Sequence, residues 1–204
     1  MYKWFYLFAL TFGLPEFSAY DVSAHDHTMT SMTADAPLAG ASVYSLDSEW
    51  TMQDGKRVLL PSLLGQPVIA AMTYTTCKDI CPLIIADMIL IENEILKRKL
   101  PFVRFVLFSI DPDGDTPAKL KEYARLHGLD PERWTLFNGN AAAVRELAAV
   151  LGVRFRRIDP TTYDHSIGIS LLDADGVLAF QQNGIETDTT DFISHLETII
   201  KLSK

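Results

Sequence analysis

Three stretches of the chain are apolar throughout or at alternate positions, which predicts strands of a buried sheet. Residues 67–75 are apolar almost throughout, as in a strand buried on both faces. Residues 102–110 alternate and are rich in Val and Phe, which predicts a second central strand. A short run at 134–137 predicts a further strand. We therefore expect a sheet with two buried central strands.

Two further pairs of strand-like runs are joined by polar turns that end in Asp-Gly. Residues 44–52 and 56–60 flank the first turn, and residues 166–172 and 177–181 flank the second. Asp-Gly between two such runs is a strong signal for a β-hairpin, because both residues accept the backbone conformations that a tight turn needs. The sequence therefore predicts an N-terminal hairpin and a second hairpin, with a loop leading into the second at His165.

Four other segments carry the signals of helices. They are residues 82–98, 116–127, 141–151 and 188–202. The first repeats apolar residues at helical spacing, and Pro82 suits its first turn, where a missing N–H costs nothing. Gly128 and Gly152 end the second and third helices. The alternation of strands and helices predicts one mixed α/β domain over residues 41–204, with helices on two faces of a single sheet.

The first 24 residues have the order of a secretory signal peptide. Lys3 precedes an almost continuous apolar run from Trp4 to Leu14, and small residues follow up to Ala24, where we expect cleavage. The apolar run is close to half of the about 20 residues that a membrane-spanning helix needs, so we expect no spanning segment in the mature form. We therefore expect a periplasmic protein, with an uncleaved N-terminal anchor as the alternative.

Residues 25–40 show no apolar periodicity, which predicts a flexible tail. If the expected cleavage occurs, the mature chain begins with His25-Asp-His27. The free amine, two backbone nitrogens and the imidazole of the third residue form the square-planar site that Cu(II) prefers. The thioethers of Met29 and Met32 suit Cu(I). The tail is therefore a candidate secondary copper site, and a solvated linker with incidental His and Met is the alternative.

Composition narrows the class of function. The chain has 204 residues, a formal net charge of -8 and two cysteines. A negative charge argues against a nucleic-acid partner, which normally meets a basic face. Two cysteines are too few for a disulfide-rich scaffold, and their closeness in sequence indicates a site instead.

The two cysteines, Cys77 and Cys81, lie where the first central strand gives way to a helix. Ligands gather at the carboxyl ends of strands in α/β sheets, and a helix N-terminus favours thiolates. Lys78 adds a positive charge beside the first cysteine. The spacing permits a disulfide and equally permits two thiolates on one metal ion. These residues alone leave a structural disulfide, a redox dithiol and a metal site open.

Asp111, Asp113 and Asp115 follow the second central strand and could suggest a site for a hard cation. The run lacks the glycine spacing and the distal glutamate of a helix–loop–helix calcium site. We interpret it as turn and helix-capping chemistry.

Three motifs in this order resemble those of the Sco/SenC family, and the resemblance covers roughly residues 41–203. The motifs are Cys77-x3-Cys81-Pro82, Asp111-Pro112-x-x-Asp115-Thr116 and Asp164-His165. The resemblance implies a thioredoxin-like fold with an extra hairpin carrying the histidine. It implies a periplasmic or mitochondrial copper protein involved in assembling cytochrome oxidase, and one copper ion bound by Cys77, Cys81 and His165.

The chain departs from the family pattern at two positions beside the first cysteine. Lys78 stands where the common pattern has proline, and Thr76 stands where a histidine is often found. Neither change removes a ligand. We expect both to affect the pKa of the thiol, the redox potential or the docking of a partner.

The favoured hypothesis is a copper metallochaperone that passes Cu(I) or Cu(II) by ligand exchange to an oxidase subunit, at its dinuclear copper centre. Other copper proteins of respiration or denitrification, such as a nitrous oxide reductase, are alternative clients. A second hypothesis is a thiol–disulfide reductase, in which Cys77 attacks a partner disulfide and Cys81 resolves the product. A third is a thiol peroxidase, with Cys77 passing through sulfenic acid. In the first two a thiol–disulfide reductant is a further expected partner, since copper binding needs reduced cysteines.

Overall fold

The computed structural model describes residues 40–202, whose strands form one seven-stranded sheet and one separate two-stranded sheet. The strands are β1 (Glu49–Met52), β2 (Arg57–Leu59), β3 (Val68–Thr73), β4 (Arg104–Ser109), β5 (Trp134–Gly139), β6 (Phe155–Arg157), β7 (Tyr163–His165), β8 (Gly168–Leu172) and β9 (Leu178–Asn183). The helices are α1 (Cys81–Lys97), α2 (Pro117–Leu126), α3 (Ala141–Leu151) and α4 (Thr190–Leu202). Short 3-10 helices lie at Val43–Ser45 and Leu60–Leu63.

The large sheet has the strand order β2-β1-β5-β4-β3-β8-β9 and is mixed. Strands β3, β4 and β5 run parallel, whereas β1, β8 and β9 pair antiparallel to their neighbours. In the register of β3 and β4, Val68 lies opposite Arg104 and Thr73 opposite Ser109. These two strands end side by side, so the loops that follow them meet at one edge of the sheet.

Helices cover both faces of this sheet, because successive side chains of a strand point to opposite faces. On one face, Ile69 and Ala71 of β3 belong to an apolar cluster with buried residues of α1, α2 and α4. On the other face, Val68 and Ala70 belong to a cluster with α3 and the two 3-10 helices. This double cover explains why β3 is apolar at five consecutive buried positions, 68–72, rather than at alternate ones.

The expected mixed α/β architecture is confirmed. Both hairpins with Asp-Gly turns form, as β1–β2 and β8–β9, and each predicted helix is present within two residues of its expected ends. Asn140 caps the N-terminus of α3 as predicted, since its side chain accepts hydrogen bonds from the N–H groups of Ala142 and Ala143. Gly152 ends the same helix with φ of 67°, a left-handed conformation that glycine adopts without strain.

The structure differs from the sequence prediction just before the second hairpin. The loop expected from the residue pattern is instead the antiparallel pair β6–β7, and His165 is the last residue of β7. The hairpin carrying the histidine that the family resemblance implied is therefore present. Each of these strands has three residues, Phe-Arg-Arg and Tyr-Asp-His. Runs this short and this polar carry no alternation that the sequence pattern could reveal.

The first predicted strand begins later than expected, at Glu49 rather than Tyr44. Residues Val43–Ser45 form a 3-10 helix, and the N–H of Val43 donates to the carbonyl of Gly176 in the β8–β9 turn. A Cβ at Gly176 would lie 2.6 Å from the Tyr44 ring. This close approach of a distant turn bends the segment out of the strand conformation.

Several sequence predictions concern residues outside the described range. The signal peptide expected at 1–24 lies there, as do all but the last residue of the tail expected at 25–40. His25, His27, Met29 and Met32 belong to that tail, and their copper site stays a prediction. Within residues 40–202, no helix is both long enough and apolar enough to cross a membrane.

Candidate metal centre

The two cysteines lie at the start of α1, in the loop that follows β3. Cys81 is the first residue of the helix. Ile80, at the N-cap position, has no side-chain hydrogen bond to the first turn. The N–H of Cys81 instead donates to the Cys77 sulfur at 3.4 Å. The first cysteine therefore accepts a hydrogen bond that a capping residue would otherwise accept. Both cysteines are free thiols in this structure.

The buried carboxylate of Asp115 fixes the start of this loop. It accepts the N–H of Thr75 at 3.0 Å and also the Thr75 hydroxyl, and it accepts the Ser109 hydroxyl at 2.6 Å. Ser109 ends β4, so one carboxylate joins the ends of two parallel strands. The sequence favours turn and helix-capping roles for Asp111, Asp113 and Asp115 together. Asp111 accepts the N–H of Gly114 in the turn, the Thr116 hydroxyl caps α2, and Asp115 holds the cysteine loop.

His165 reaches the cysteines from β7, which lies far along the chain. Its Nε2 is 3.8 Å from the Cys81 sulfur, and its Nδ1 is 3.1 Å from the carbonyl oxygen of Ser166. A carbonyl can only accept, so Nδ1 carries the proton and Nε2 faces the sulfur. The ligand atoms of Cys77, Cys81 and His165 all lie within 4.8 Å of one another. The structure thus brings together the three residues that the family resemblance implied.

Hydrogen bonding between the two thiols separates their pKa values. The contact with Cys81 holds the pKa of Cys77 well below its ordinary value, and backbone N–H groups at the helix start add to this effect. The same contact, together with burial, raises the pKa of the Cys81 thiol. The accessible Cys77 therefore has the more acidic thiol of the pair.

The site is open on the side of Cys77 and closed on the side of Cys81. Cys77 borders a surface pocket, whereas Cys81 is completely buried. The other residues that line the pocket are Tyr74, Thr76, Lys78, Asp79, Thr161 and Thr162. An incoming group therefore meets the sulfur of Cys77 first.

The two positions that depart from the family pattern lie at this pocket. Lys78 is exposed, and the Thr76 hydroxyl donates to the carbonyl of Thr161 in the β6–β7 turn at 3.0 Å. Thr76 thus ties the cysteine loop to the hairpin that carries His165. The candidate ligands Cys77, Cys81 and His165 are all present despite these two departures.

Sequence reasoning missed Tyr74, which directly follows β3. Its hydroxyl donates to the carbonyl of Tyr163 at 3.2 Å and accepts the N–H of Tyr163 at 3.3 Å. Its ring lies edge-on to the His165 ring, with centroids 5.9 Å apart. Burial, and to a smaller extent the Cys77 sulfur, raises the pKa of Tyr74 to about 12. A tyrosine between a buried strand and two cysteines was the available signal in the sequence.

Comparison with known proteins agrees with this geometry. The SCO1/SenC family profile matches residues 39–201. The SCO1 protein homolog of Bacillus subtilis (strain 168) is 32% identical over 150 residues, which cover 72% of this chain and 77% of that protein. The structure of BsSco, a member of the Sco family of cytochrome c oxidase assembly proteins in which a disulfide switch was identified, is 27% identical with a TM-score of 0.69; the match covers 83% of this chain and 99% of BsSco.

A copper-bound relative is also similar. The structure of Bradyrhizobium japonicum ScoI with copper bound is 27% identical with a TM-score of 0.58, and the match covers 74% of this chain and 96% of that one. These neighbours share the thioredoxin-like fold that the three motifs implied. The family match spans all but the last of the described residues, including both cysteines and the histidine, and the chain belongs to the SCO1/SenC family.

Proposed function

We propose that this protein binds one copper ion through Cys77, Cys81 and His165 and delivers it to a respiratory copper enzyme. The observation that carries the proposal is the convergence of two sulfurs and one imidazole nitrogen within 4.8 Å. Soft thiolates select copper over hard cations, and two sulfurs with one imidazole suit Cu(I) in a trigonal site. Copper is the cargo here, so no chemical turnover of a substrate is required.

The protonation state of the site fits a metal-binding role. The low pKa of Cys77 means that one thiolate is ready at neutral pH, and the raised pKa of Cys81 means that its proton leaves as the metal enters. The hydrogen bond from Nδ1 of His165 to the Ser166 carbonyl orients the lone pair of Nε2 toward the cysteines. Binding of Cu(I) at neutral pH should therefore release about one proton.

Transfer proceeds by ligand exchange that begins at the exposed sulfur. A thiolate or imidazole of the client approaches the pocket beside Cys77 and replaces that ligand, while the buried Cys81 leaves later. Exchange with an oxidising partner disulfide would join Cys77 and Cys81 in a disulfide, reduce the partner to two thiolates and release the metal. A dithiol reductant, itself oxidised to a disulfide, is then needed before the protein can bind copper again.

The client we favour is the dinuclear copper centre of cytochrome c oxidase. The description of BsSco as a cytochrome c oxidase assembly protein supports this choice. Copper enzymes of denitrification would accept the same ion by the same exchange and are the alternative clients. We place the protein in the periplasm, on the strength of the signal-peptide pattern of residues 1–24.

The first experiment is an anaerobic titration of the reduced protein with Cu(I), with X-ray absorption to count sulfur and nitrogen ligands. We expect one ion with two sulfurs and one nitrogen. Cys77→Ala and Cys81→Ala should each weaken binding by more than about 100-fold, because even residues that only orient a ligand cost 10–100-fold. Tight binding that survives both substitutions would refute the site.

A thiol–disulfide reductase is the second candidate function. The lowered pKa of the accessible Cys77 and the nearby buried Cys81 favour it, since they match an attacking and a resolving thiol. His165→Ala distinguishes the two functions. We expect strongly weakened copper binding with dithiol–disulfide cycling still measurable. Unchanged copper affinity in this variant would rule out the three-ligand site.

The N-terminal tail adds a separate proposal. Removing residues 25–32, which contain His25, His27, Met29 and Met32, should lower the capacity for Cu(II) and leave the Cu(I) site unaffected. Equal Cu(II) capacity with and without these residues would reduce the tail to a linker.

A further inference from the structure

The β6–β7 hairpin is held by contacts of its side chains and its turn rather than by pairing with the large sheet. It is separate from the seven-stranded sheet, and each strand has three residues. At its base the N–H of Ser166 donates to the carbonyl of Arg154 at 2.8 Å. An isolated pair of strands is at best marginally stable in water. The place of His165 relative to the cysteines therefore depends on contacts between the hairpin and the domain.

The Tyr74 hydroxyl makes two of these contacts. It donates to the carbonyl of Tyr163 and accepts the N–H of the same residue, at 3.2 and 3.3 Å. A neighbouring strand would engage both groups of one residue in a similar way, so this hydroxyl partly replaces a missing strand beside β7. Tyr74 directly follows β3, and the N–H of Cys77 donates to its carbonyl at 3.3 Å. One residue thus contacts both the cysteine loop and the histidine hairpin.

The hydroxyl of Tyr163 itself makes a further contact between the hairpin and the domain. It donates to Oδ1 of the buried Asp111 at 3.1 Å, in the loop that follows β4. The same Asp111 oxygen accepts the N–H of Gly114 at 3.0 Å, which fixes the carboxylate. Tyr163 and His165 are two residues apart in one strand, so their side chains lie on the same face. Anchoring Tyr163 therefore directs His165 toward the domain.

We propose that Tyr74 and Tyr163 are positioning residues that hold the β6–β7 hairpin so that the His165 imidazole stays within reach of Cys77 and Cys81. The proposal rests on the proposed copper-binding function and extends it to residues that contact no metal. Their hydroxyl groups set how much of the time the third ligand is in place. Loss of either one should give a site that is more often two-coordinate.

The test compares Tyr74→Phe and Tyr163→Phe with the unchanged protein. Each substitution keeps the ring and removes one hydroxyl. We expect Cu(I) affinity, measured anaerobically by competition with a chromophoric chelator, to fall about 10- to 100-fold in each variant. X-ray absorption should report a reduced nitrogen contribution with both sulfurs retained. Unchanged affinity in both variants would overturn the proposal.

Tyr44→Phe is the matched control. Tyr44 is also buried, and its hydroxyl donates to the carbonyl of Leu63 at 3.2 Å, away from the cysteines and the hairpin. We expect this variant to keep the copper affinity of the unchanged protein. A loss equal to that of Tyr74→Phe would mean that removal of any buried tyrosine hydroxyl weakens the site.

A double substitution separates positioning from general damage. If Tyr74 acts through His165, then adding Tyr74→Phe to His165→Ala should cause no further loss of copper affinity. An equal further loss in both backgrounds would show that Tyr74 acts on the cysteines instead, and the positioning role would be wrong.

A readout without metal keeps the proposal distinct from the proposed function. In the copper-free protein, amide hydrogen exchange of residues 155–165 should become faster in both tyrosine variants, while exchange in β8 and β9 stays unchanged. If the unchanged protein binds no copper but exchange is faster in the variants, the proposed function is refuted and the anchoring role stands. Unchanged exchange would refute the anchoring whatever the copper result.

Discussion

Two antiparallel hairpins follow each other near the end of the chain, and different forces hold them. In the first, β6–β7, the strands pair only with each other, and His165 ends the second strand. In the second, β8–β9, strand β8 lies between β3 and β9, and all five of its residues are buried. Apolar burial holds β8 along its whole length. In the first hairpin, Phe155 and Tyr163 contact the apolar core, and hydrogen bonds of tyrosine hydroxyls, of Thr76 and of one carboxylate supplement these contacts.

The two hairpins differ in what their contacts contribute: one mainly stabilises the fold, and the other positions a side chain. Burial of apolar surface is non-directional and strong, so β8–β9 contributes mainly to the free energy of folding. Each hydrogen bond contributes little to stability but has a defined geometry. The hairpin that carries the ligand is therefore placed by hydrogen bonds whose geometry is specific but which add little to the free energy of folding.

The largest expected effect is on stability, from a cavity in the second hairpin. Leu171 of β8 is completely buried, so Leu171→Ala should lower the free energy of unfolding by about 2–5 kcal/mol. Ile158, at the outer end of the β6–β7 hairpin, is 59% exposed. Ile158→Ala should therefore change the free energy of unfolding by less than about 0.5 kcal/mol. Chemical denaturation measures both. Similar losses in the two variants would contradict the comparison.

Amide hydrogen exchange in the unchanged protein should show the next largest difference. We expect the amides paired within β8–β9 to exchange at least about 100-fold more slowly than those within β6–β7, which corresponds to about 2.7 kcal/mol. The reason is that opening β6–β7 exposes little of the apolar core, mainly Phe155 and Tyr163, whereas all five residues of β8 are buried. Equal protection of the two hairpins, measured by mass spectrometry, would mean that they open as one unit.

The pH dependence of Cys77 alkylation tests a smaller electrostatic contribution of the first hairpin. The lowered pKa of Cys77 keeps the thiolate in acid, so alkylation should change little between about pH 8 and pH 6, whereas an ordinary thiol with pKa of about 8.5 loses nearly tenfold per unit. Cys81→Ala removes the largest cause of the lowered pKa, so it should slow the reaction at pH 6 most. His165→Ala should slow it less. A rate in the unchanged protein that falls tenfold per unit would contradict the lowered pKa.

The smallest effect is expected at an exposed ion pair of the first hairpin. Arg156 and Asp164 pair at 3.4 Å, with the arginine side chain 70% exposed. Solvent screens such a pair, so Arg156→Ala should change stability by less than about 1 kcal/mol and leave copper affinity unchanged. A loss of copper affinity comparable to that of Tyr74→Phe would mean that surface charge, rather than the tyrosines, positions the hairpin.

The sequence predicted the second hairpin and the helices because their signals are local. The apolar strand at 166–172 and the Asp-Gly turn after it are both readable over a few residues, and Asn140 and Gly152 mark the ends of α3 in the same way. The residue pattern did not reveal the β6–β7 hairpin, since its strands are short and polar, and a hairpin carrying the histidine was implied only by the family resemblance.

The residues of the candidate site also differ in whether local sequence signals reveal them. Cys77 and Cys81 are four residues apart at a strand-to-helix junction, so their role as a site was visible in the sequence. His165 entered only through the family resemblance, because a histidine 84 residues from Cys81 has no local link to it. The parts played by Tyr74 and Asp115 were not predicted at all, since hydroxyl and carboxylate contacts between separate loops leave no periodic pattern.

By itself, the sequence determined the class of the fold, the position of the dithiol and its place at the start of a helix. These features follow from spacing along the chain, where apolar period and turn residues act over short distances. Only the tertiary structure decided that the hairpin lies over the dithiol, that Cys81 is buried while Cys77 is open, and that the two thiols differ in pKa. Distances between remote segments and loss of solvent are properties of the folded chain, and they control the chemistry of the site.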